Sequence, residues 1–173
     1  MTTLIYTLIT AIVILLCLPV KRFCRHKHNI SRANHALDTL SRIPHPGQQF
    51  AYLRKLDPFV FEELLLCAYE RQGHTAIRNK RYTGDGGIDG QVQINKQTFL
   101  VQAKRYHGYI QAAHVTEFAL VCRQHKKQGL FIHTGKTGKT AYIARCYGGI
   151  EIISGQKLLS LLVPAENKLK VVA

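Results

Sequence analysis

The sequence predicts an α/β protein, a sandwich of helices about a central mixed sheet, preceded by one N-terminal transmembrane helix. Three observations predict it. From Asp57 onward the hydrophobic period switches between helical and strand spacing in the order α-β-β-β-α-β-α-β-α. Two short apolar strands flank Asn95-Lys96, a pair that suits a tight two-residue turn because Asn tolerates positive φ. The first twenty residues carry no charged side chain.

Leu4 to Val20 is apolar except for Thr7 and Thr10, about the shortest run that spans a ~30 Å hydrocarbon core. Lys21, Arg22, Arg25 and Lys27 follow at once, and no basic side chain precedes it. A signal peptide has the reverse order, so the run is expected to be an uncleaved anchor. The positive-inside rule then puts the N-terminus outside and the rest in the cytoplasm, as a single-pass inner (cytoplasmic) membrane protein. Residues 21–56 are expected to be a basic juxtamembrane stalk with a short helix at Ile30 to Ile43, broken by Pro44-His45-Pro46-Gly47. Residues 57–173 are the expected globular domain, long enough for one modest core.

Within that domain Asp57 is an N-cap, Pro58 the first helical residue and Gly73 the residue past the C-cap. Phe61, Leu64, Leu65 and Ala68 line one side of this helix, and Glu62 and Glu63 are placed in its first turn, where acid complements the dipole. Thr75 to Asn79 reads as a strand, Val92 to Ile94 and Gln97 to Leu100 as the hairpin, and Ala112 to Lys126 as a helix. Leu130 to His133 is a short buried strand, Thr137 to Tyr147 a helix, Ile150 to Ile153 the last strand and Leu158 to Val163 a closing helix.

The formal net charge is +14. Residues 21–56 hold eight Lys/Arg against one Asp, and residues 57–173 hold sixteen against nine Asp/Glu, so each part carries +7. The stalk suits anionic headgroups, at about 1 kcal/mol per basic residue near the surface. The excess on the domain suits a polyanion such as DNA, although a solvated basic face with no partner is the plainer reading. The five cysteines, Cys17, Cys24, Cys67, Cys122 and Cys146, are odd in number and lack a Cys-x-x-Cys pair, which argues against disulfides in a cytoplasmic domain. His26 and His28 are the only close histidine pair and no second pair completes a zinc set.

Chemistry concentrates in Gly84-Asp85-Gly86-Gly87-Ile88-Asp89-Gly90 and in Gln102-Ala103-Lys104. A turn centred on Asn95-Lys96 pairs 94 with 97, 92 with 99 and 89 with 102, so Asp89 is expected opposite Gln102, with Lys104 on the face of Gln102. Gly90 invites a bulge that would shift this pairing. A carboxylate with neighbouring oxygens can hold a divalent metal, and a lysine beside it can act on water or phosphate. Residue by residue the plainer reading is a glycine turn, with Asp85 bonding its own backbone, and a solvated lysine.

Taken together, Phe61-Glu62, the Gly-Asp-Gly-Gly-Ile-Asp-Gly run, Val101-Gln-Ala-Lys-Arg-Tyr106, Gly129-Leu-Phe-Ile132 and Gly149-Ile-Glu-Ile-Ile-Ser-Gly155 resemble the Mrr-like restriction endonucleases of the PD-(D/E)xK superfamily, in the Gln-x-Lys variant. The resemblance runs from about Phe59 to Leu162. It implies a restriction-endonuclease-like fold and a metal-dependent DNA endonuclease of type IV restriction kind. Asp89 and Gln102 would be ligands of Mg²⁺ (or Mn²⁺), helped by the Ala103 carbonyl, Lys104 the catalytic lysine, and Glu62 an accessory acid. The sequence departs from the family after the later strand, where His133-Thr134-Gly135-Lys136 replaces a Thr-Thr-Ser-like loop, which touches how the phosphate backbone is held.

Lys136 and Lys139, in a loop of two glycines and three threonines, are candidate DNA contacts, with Lys80, Arg81 and Arg105 on the same side. The loop's Gly138-Lys139-Thr140 also looks like a nucleotide-binding Walker loop, but the glycine that pattern needs five places earlier is His133. DNA and the membrane are thus the expected partners, with no small-molecule substrate; a homodimer is compatible with cutting two strands and is left open. The rival classes are a catalytically silent, membrane-tethered DNA-binding protein and a nucleotide-binding protein.

Overall fold

A computed structural model describes Tyr6, residues 26–79 and residues 86–164. Asp57 caps α3 (Pro58–Arg71): its Oδ1 accepts from the Phe59 and Val60 amides at 3.0 and 3.4 Å. Gly73 ends the helix at φ 84°, a conformation that costs glycine no Cβ clash. Two helices precede it, α1 (residues 26–42) and α2 (Pro46–Lys55). After it come β1 (Thr75–Ile77), β2 (Gly90–Ile94), β3 (Gln97–Lys104), α4 (Ala112–Gln124), β4 (Gln128–His133), a 3₁₀ turn (Gly138–Thr140), α5 (Ala141–Tyr147), β5 (Ile150–Ile153) and α6 (Gly155–Leu162).

The five strands lie in sheet order β1-β2-β3-β4-β5. The first two pairings are antiparallel and the last two parallel, which makes the sheet mixed as expected. Asn95 and Lys96 turn the β2–β3 hairpin at φ 49° and 69°, both positive as a type I′ turn requires, and the register runs from Ile94↔Gln97 to Gly90↔Val101. Strand alternation sends Val92, Val101 and Ala103 to one face, where they meet α1, α3 and α6. Leu100 and Phe131 face the other way, onto Val115, Phe118 and Ala144 of α4 and α5. The result is the α/β/α sandwich that the sequence order predicts.

Several expectations need correction. Residues 26–55 are not a free stalk. Ala33, Ala36, Leu37 and Leu40 of α1 and Leu53 of α2 are at most 1% exposed and belong to the core beneath the sheet. Each leucine buried there is worth about 2 kcal/mol. Glu62 and Glu63 lie beyond the first turn of α3, so a dipole contact does not account for them. Helix α6 starts three residues before the expected Leu158, because its first turn, Gly155-Gln156-Lys157, has no apolar residue to mark it. The segment from Thr137 is not one helix: a 3₁₀ turn precedes α5. The apolar run of Leu4 to Val20 lies, but for Tyr6, outside the described residues, and among these no helix is long and apolar enough to cross a membrane. Cys67, Cys122 and Cys146 are free thiols, the first two buried as expected, and burial pushes Cys122 up to about 11.

Candidate active site

The C-terminal end of β3 gathers the polar residues. Gln102 and Lys104 alternate with Val101 and Ala103 and share the parity of Leu100, so they face the α4 side of the sheet, while Val101 and Ala103 are buried on the α3 side. Gln102 is 7% exposed. Its Nε2 donates to the Gly87 carbonyl at 2.8 Å, and its Oε1 is buried with no hydrogen-bond partner. An unpartnered buried carbonyl oxygen costs about 1–3 kcal/mol and therefore calls for a reason. The Gly86-Gly87 turn that reaches Gln102 uses positive φ at both residues.

Asp89 sits where β2 leaves β3. Its amide donates to the Val101 carbonyl at 2.8 Å although Gly90 is the residue paired with Val101, so two residues address one. That is a bulge, and bulges beside functional sites re-aim a side chain. The Asp89 carboxylate is turned onto the edge of β3, where Oδ2 accepts from the Ala103 amide at 2.6 Å. Asp89 is therefore not squarely opposite Gln102, as unbroken pairing would have it. The Gly86–Asp89 segment instead grips β3 twice, by its own side chain at Ala103 and by the Gly87 carbonyl at Gln102.

On the neighbouring strand the register partner of Lys104 is His133. Its ring is fully buried between Phe131 and Tyr106, with centroids at 6.0 and 6.1 Å. The Gly135 amide donates to Nδ1 at 3.2 Å, which fixes the other nitrogen, Nε2, as the one carrying the proton toward Thr137 Oγ1, also at 3.2 Å. Thr137 Oγ1 is in turn 2.9 Å from Ser154 Oγ. Desolvation lowers the His133 pKa from 6.5 to about 4. Nearby, the Tyr106 hydroxyl bonds His114 Nδ1, and burial raises the Tyr106 pKa.

Comparison with known proteins bears on this corner directly. A family model described as restriction endonuclease matches residues 53–162, more than half of the chain, and includes all of the residues just described. The chain belongs to the Mrr-like restriction endonucleases. A relative in Escherichia coli (strain K12), the type IV methyl-directed restriction enzyme EcoKMrr, is 30% identical over 123 residues. That alignment covers 66% of this chain but only 40% of the relative, so the chain spans well under half of that enzyme's length. A solved structure, Pyrococcus furiosus SfsA in complex with Ca²⁺, overlaps 55% of this chain and 54% of its own at 15% identity and a TM-score of 0.37, too slight a likeness to bear on fold or site.

Within the endonuclease domain the predicted site residues have different fates. Asp89 and Gln102 are both tied to the end of β3, and Lys104 follows on the same face as Gln102. Glu62 is half-buried on α3, which packs on the sheet face opposite Gln102 and Lys104. Its neighbour Glu63, 1% exposed, has a structural role. Oε1 pairs with His26 Nδ1 at 2.8 Å and Oε2 with Arg78 Nε at 2.7 Å. Glu70 above all, with Glu63, raises the Arg78 pKa against the desolvation of the site. Arg105 is not held out for DNA. Its Nη1 donates to the Arg54 and Leu56 carbonyls, serving the otherwise orphaned end of α2. Arg54 answers by donating to the Tyr106 and Thr134 carbonyls at 3.1 and 2.8 Å. Lys136 and Lys139 are exposed, and Lys80 and Arg81 lie outside the described residues.

Sequence reasoning missed Arg54, His133 and Glu63. His133 had a signal: it breaks the Walker pattern at the one place where that pattern demands glycine. The buried His133 leaves no room for phosphate at that place, so the Gly138-Lys139-Thr140 run is a loop of the endonuclease domain.

Proposed function

We propose that this chain is a membrane-anchored, divalent-metal-dependent DNA endonuclease that hydrolyses phosphodiester bonds in restriction or DNA processing. The observation that carries the proposal is the buried, unpartnered Gln102 Oε1, one residue before the Ala103 amide that the Asp89 carboxylate holds, on the Gln-Ala-Lys strand of an Mrr-like domain. A carboxylate and an amide oxygen are hard donors of the kind that Mg²⁺ or Mn²⁺ takes, and Mg²⁺ needs only one or two protein oxygens when waters and substrate phosphate fill the rest. Among the described residues no group of three or more His, Cys, Asp or Glu offers a richer site.

In this proposal Asp89 and Gln102 hold the ion, with the Ala103 carbonyl beside them; Glu62, expected as an accessory acid, is on the far side of the sheet and takes no part. The ion, when bound, supplies Lewis-acid polarisation of the scissile phosphate. The Lys104 ammonium orients the attacking water and offsets the negative charge that develops on phosphate. Lys136 and Lys139, with Lys80 and Arg81, grip the DNA backbone. Gln in place of an acid leaves the ligand set one charge less negative, so metal affinity is expected to be weaker than in an acidic site. Leu4 to Val20 anchors the chain with its N-terminus outside, leaving the domain in the cytoplasm where chromosomal or incoming DNA is found.

Incubating supercoiled plasmid with the purified chain, with and without Mg²⁺ or Mn²⁺, tests this. Nicking or linearisation that needs the metal and vanishes in Lys104→Ala is the expected result. Salt-sensitive DNA binding with no cleavage under any divalent metal would replace it with a silent tether.

A further inference from the structure

Beyond the ends of β3 and β4 the two chain segments do not part. The Thr134 amide reaches the Lys104 carbonyl at 3.3 Å. The Thr134 hydroxyl then accepts from the Tyr106 amide and donates to the Tyr106 carbonyl, both at 3.0 Å. The Lys136 amide donates to the Gly108 carbonyl at 2.8 Å, the Ile110 amide donates to the Lys136 carbonyl at 3.0 Å, and Tyr109 and Lys136 form a parallel bridge. A stiff two-stranded ribbon thus continues the sheet past Lys104 and His133. Ile110, 5% exposed, roots it in the core.

The tip of this ribbon carries Tyr109, 68% exposed. The Lys136 Nζ lies 5.7 Å from the centre of its ring. Gly138, at φ 55°, sits against the same ring so closely that a Cβ there would lie 2.7 Å from Cδ1 and 2.8 Å from Cε1. Gly135 is equally tight, since its Cβ would come within 2.5 Å of the Tyr106 Cβ. Single exposed apolar side chains are ordinary. This one is set between backbone bonds on both sides, packed against a glycine, and carries the Lys136 ammonium over its ring, which makes a fixed flat surface paired with a cation.

We propose that Tyr109 and Lys136 form a ledge that takes one unpaired nucleotide of a DNA strand, the ring stacking on its base and the ammonium pairing with its phosphate. The proposal rests on the DNA-endonuclease reading, which supplies the ligand: the ribbon springs from the strand end that bears Gln102 and Lys104. Every base has a π-face, so such a contact is tolerant of sequence, and it differs from the lysine contacts in being insensitive to salt.

Fluorescence anisotropy of the full chain with a labelled oligothymidine of about 15 nucleotides, and with an abasic phosphodiester of equal length, separates base from backbone. Tyr109→Ala should weaken oligothymidine binding by about 5- to 50-fold, leave its salt slope unchanged and leave the abasic probe unaffected, while Tyr109→Phe stays within about twofold of wild type. Lys136→Ala should weaken both probes and lower the log–log salt slope by about 0.7. Equal oligothymidine affinity in wild type and Tyr109→Ala would overturn the ledge, as would a loss of the same size on the abasic probe. Wild type that neither binds these probes nor nicks plasmid would overturn the endonuclease reading and the ledge with it; plasmid nicking with an unaltered Tyr109→Ala would remove the ledge alone.

Discussion

Acidification should loosen the loop that bears Lys136, and the size of the effect follows from His133. Its ring is fully buried, and Nδ1 accepts a hydrogen bond from the Gly135 amide, which a protonated nitrogen cannot do. The folded-state pKa is about 4, against 6.5 when the ring is free in water. Between those values the unfolded chain binds a proton that the folded chain refuses, so stability rises with pH across the window and falls as pH drops from 6.5 toward 4. Above 6.5 and below 4 this group contributes no slope. The loss over the whole window is about 3 kcal/mol, at up to ~1.4 kcal/mol per pH unit in its middle. Urea unfolding of wild type and His133→Gln between about pH 7.5 and pH 4 isolates the effect, because all other titrating groups cancel in the difference. The stability advantage of wild type should shrink by about 3 kcal/mol across that range. Parallel curves for the two proteins would refute the assignment of a neutral, desolvated His133.

Other expectations are as definite. Asp89→Asn keeps an acceptor for the Ala103 amide but removes the charge, so metal-dependent nicking should be lost while the stability stays within about 1 kcal/mol of wild type; a large fall in stability would make Asp89 mainly a strand clasp. Glu63→Ala removes one of the two carboxylates that hold the Arg78 guanidinium, Glu70 remaining, and takes the partner from His26; it should cost about 1–3 kcal/mol in denaturant unfolding, more than Glu62→Ala. Carbonate washing should leave the full chain in the membrane fraction, and a reporter fused after Ala173 should be active in the cytoplasm; release by carbonate would end the anchor reading.

Much of this architecture is legible one residue at a time. Asp57, Pro58 and Gly73 bracket α3 because caps and breakers act locally. Asn95-Lys96 fixes the β2–β3 register because a two-residue turn admits one pairing, and strand period then places Gln102 and Lys104 on one face. What escapes is decided by tertiary contact. The bulge at Asp89 depends on where the Gly86-Gly87 turn lands on β3. Helix α1 looks like a polar stalk because its inward stripe is half alanine, and only packing against α3 reveals that stripe as core. Arg105 reads as a DNA contact by its position beside Lys104, yet odd-numbered residues of this segment point away from the Lys104 face, and that parity carries it toward α2.

The ion pair of His26 with Glu63 also decides how this protein can be handled. His26 is the first described residue of α1, and its Nε2 meets the Asn79 carbonyl at 3.1 Å, while Asn79 Nδ2 bonds the Ile88 carbonyl one residue before Asp89. A shortened chain begun at Asp57, where composition suggests a domain border, would strip Leu37, Leu40 and Leu53 from the core and leave Glu63 without one of its partners. Apolar surface of that kind drives aggregation in expression hosts. A version for solution work that omits the apolar run should begin no later than His26, and an inactive, insoluble product begun at Asp57 would not test the proposed activity.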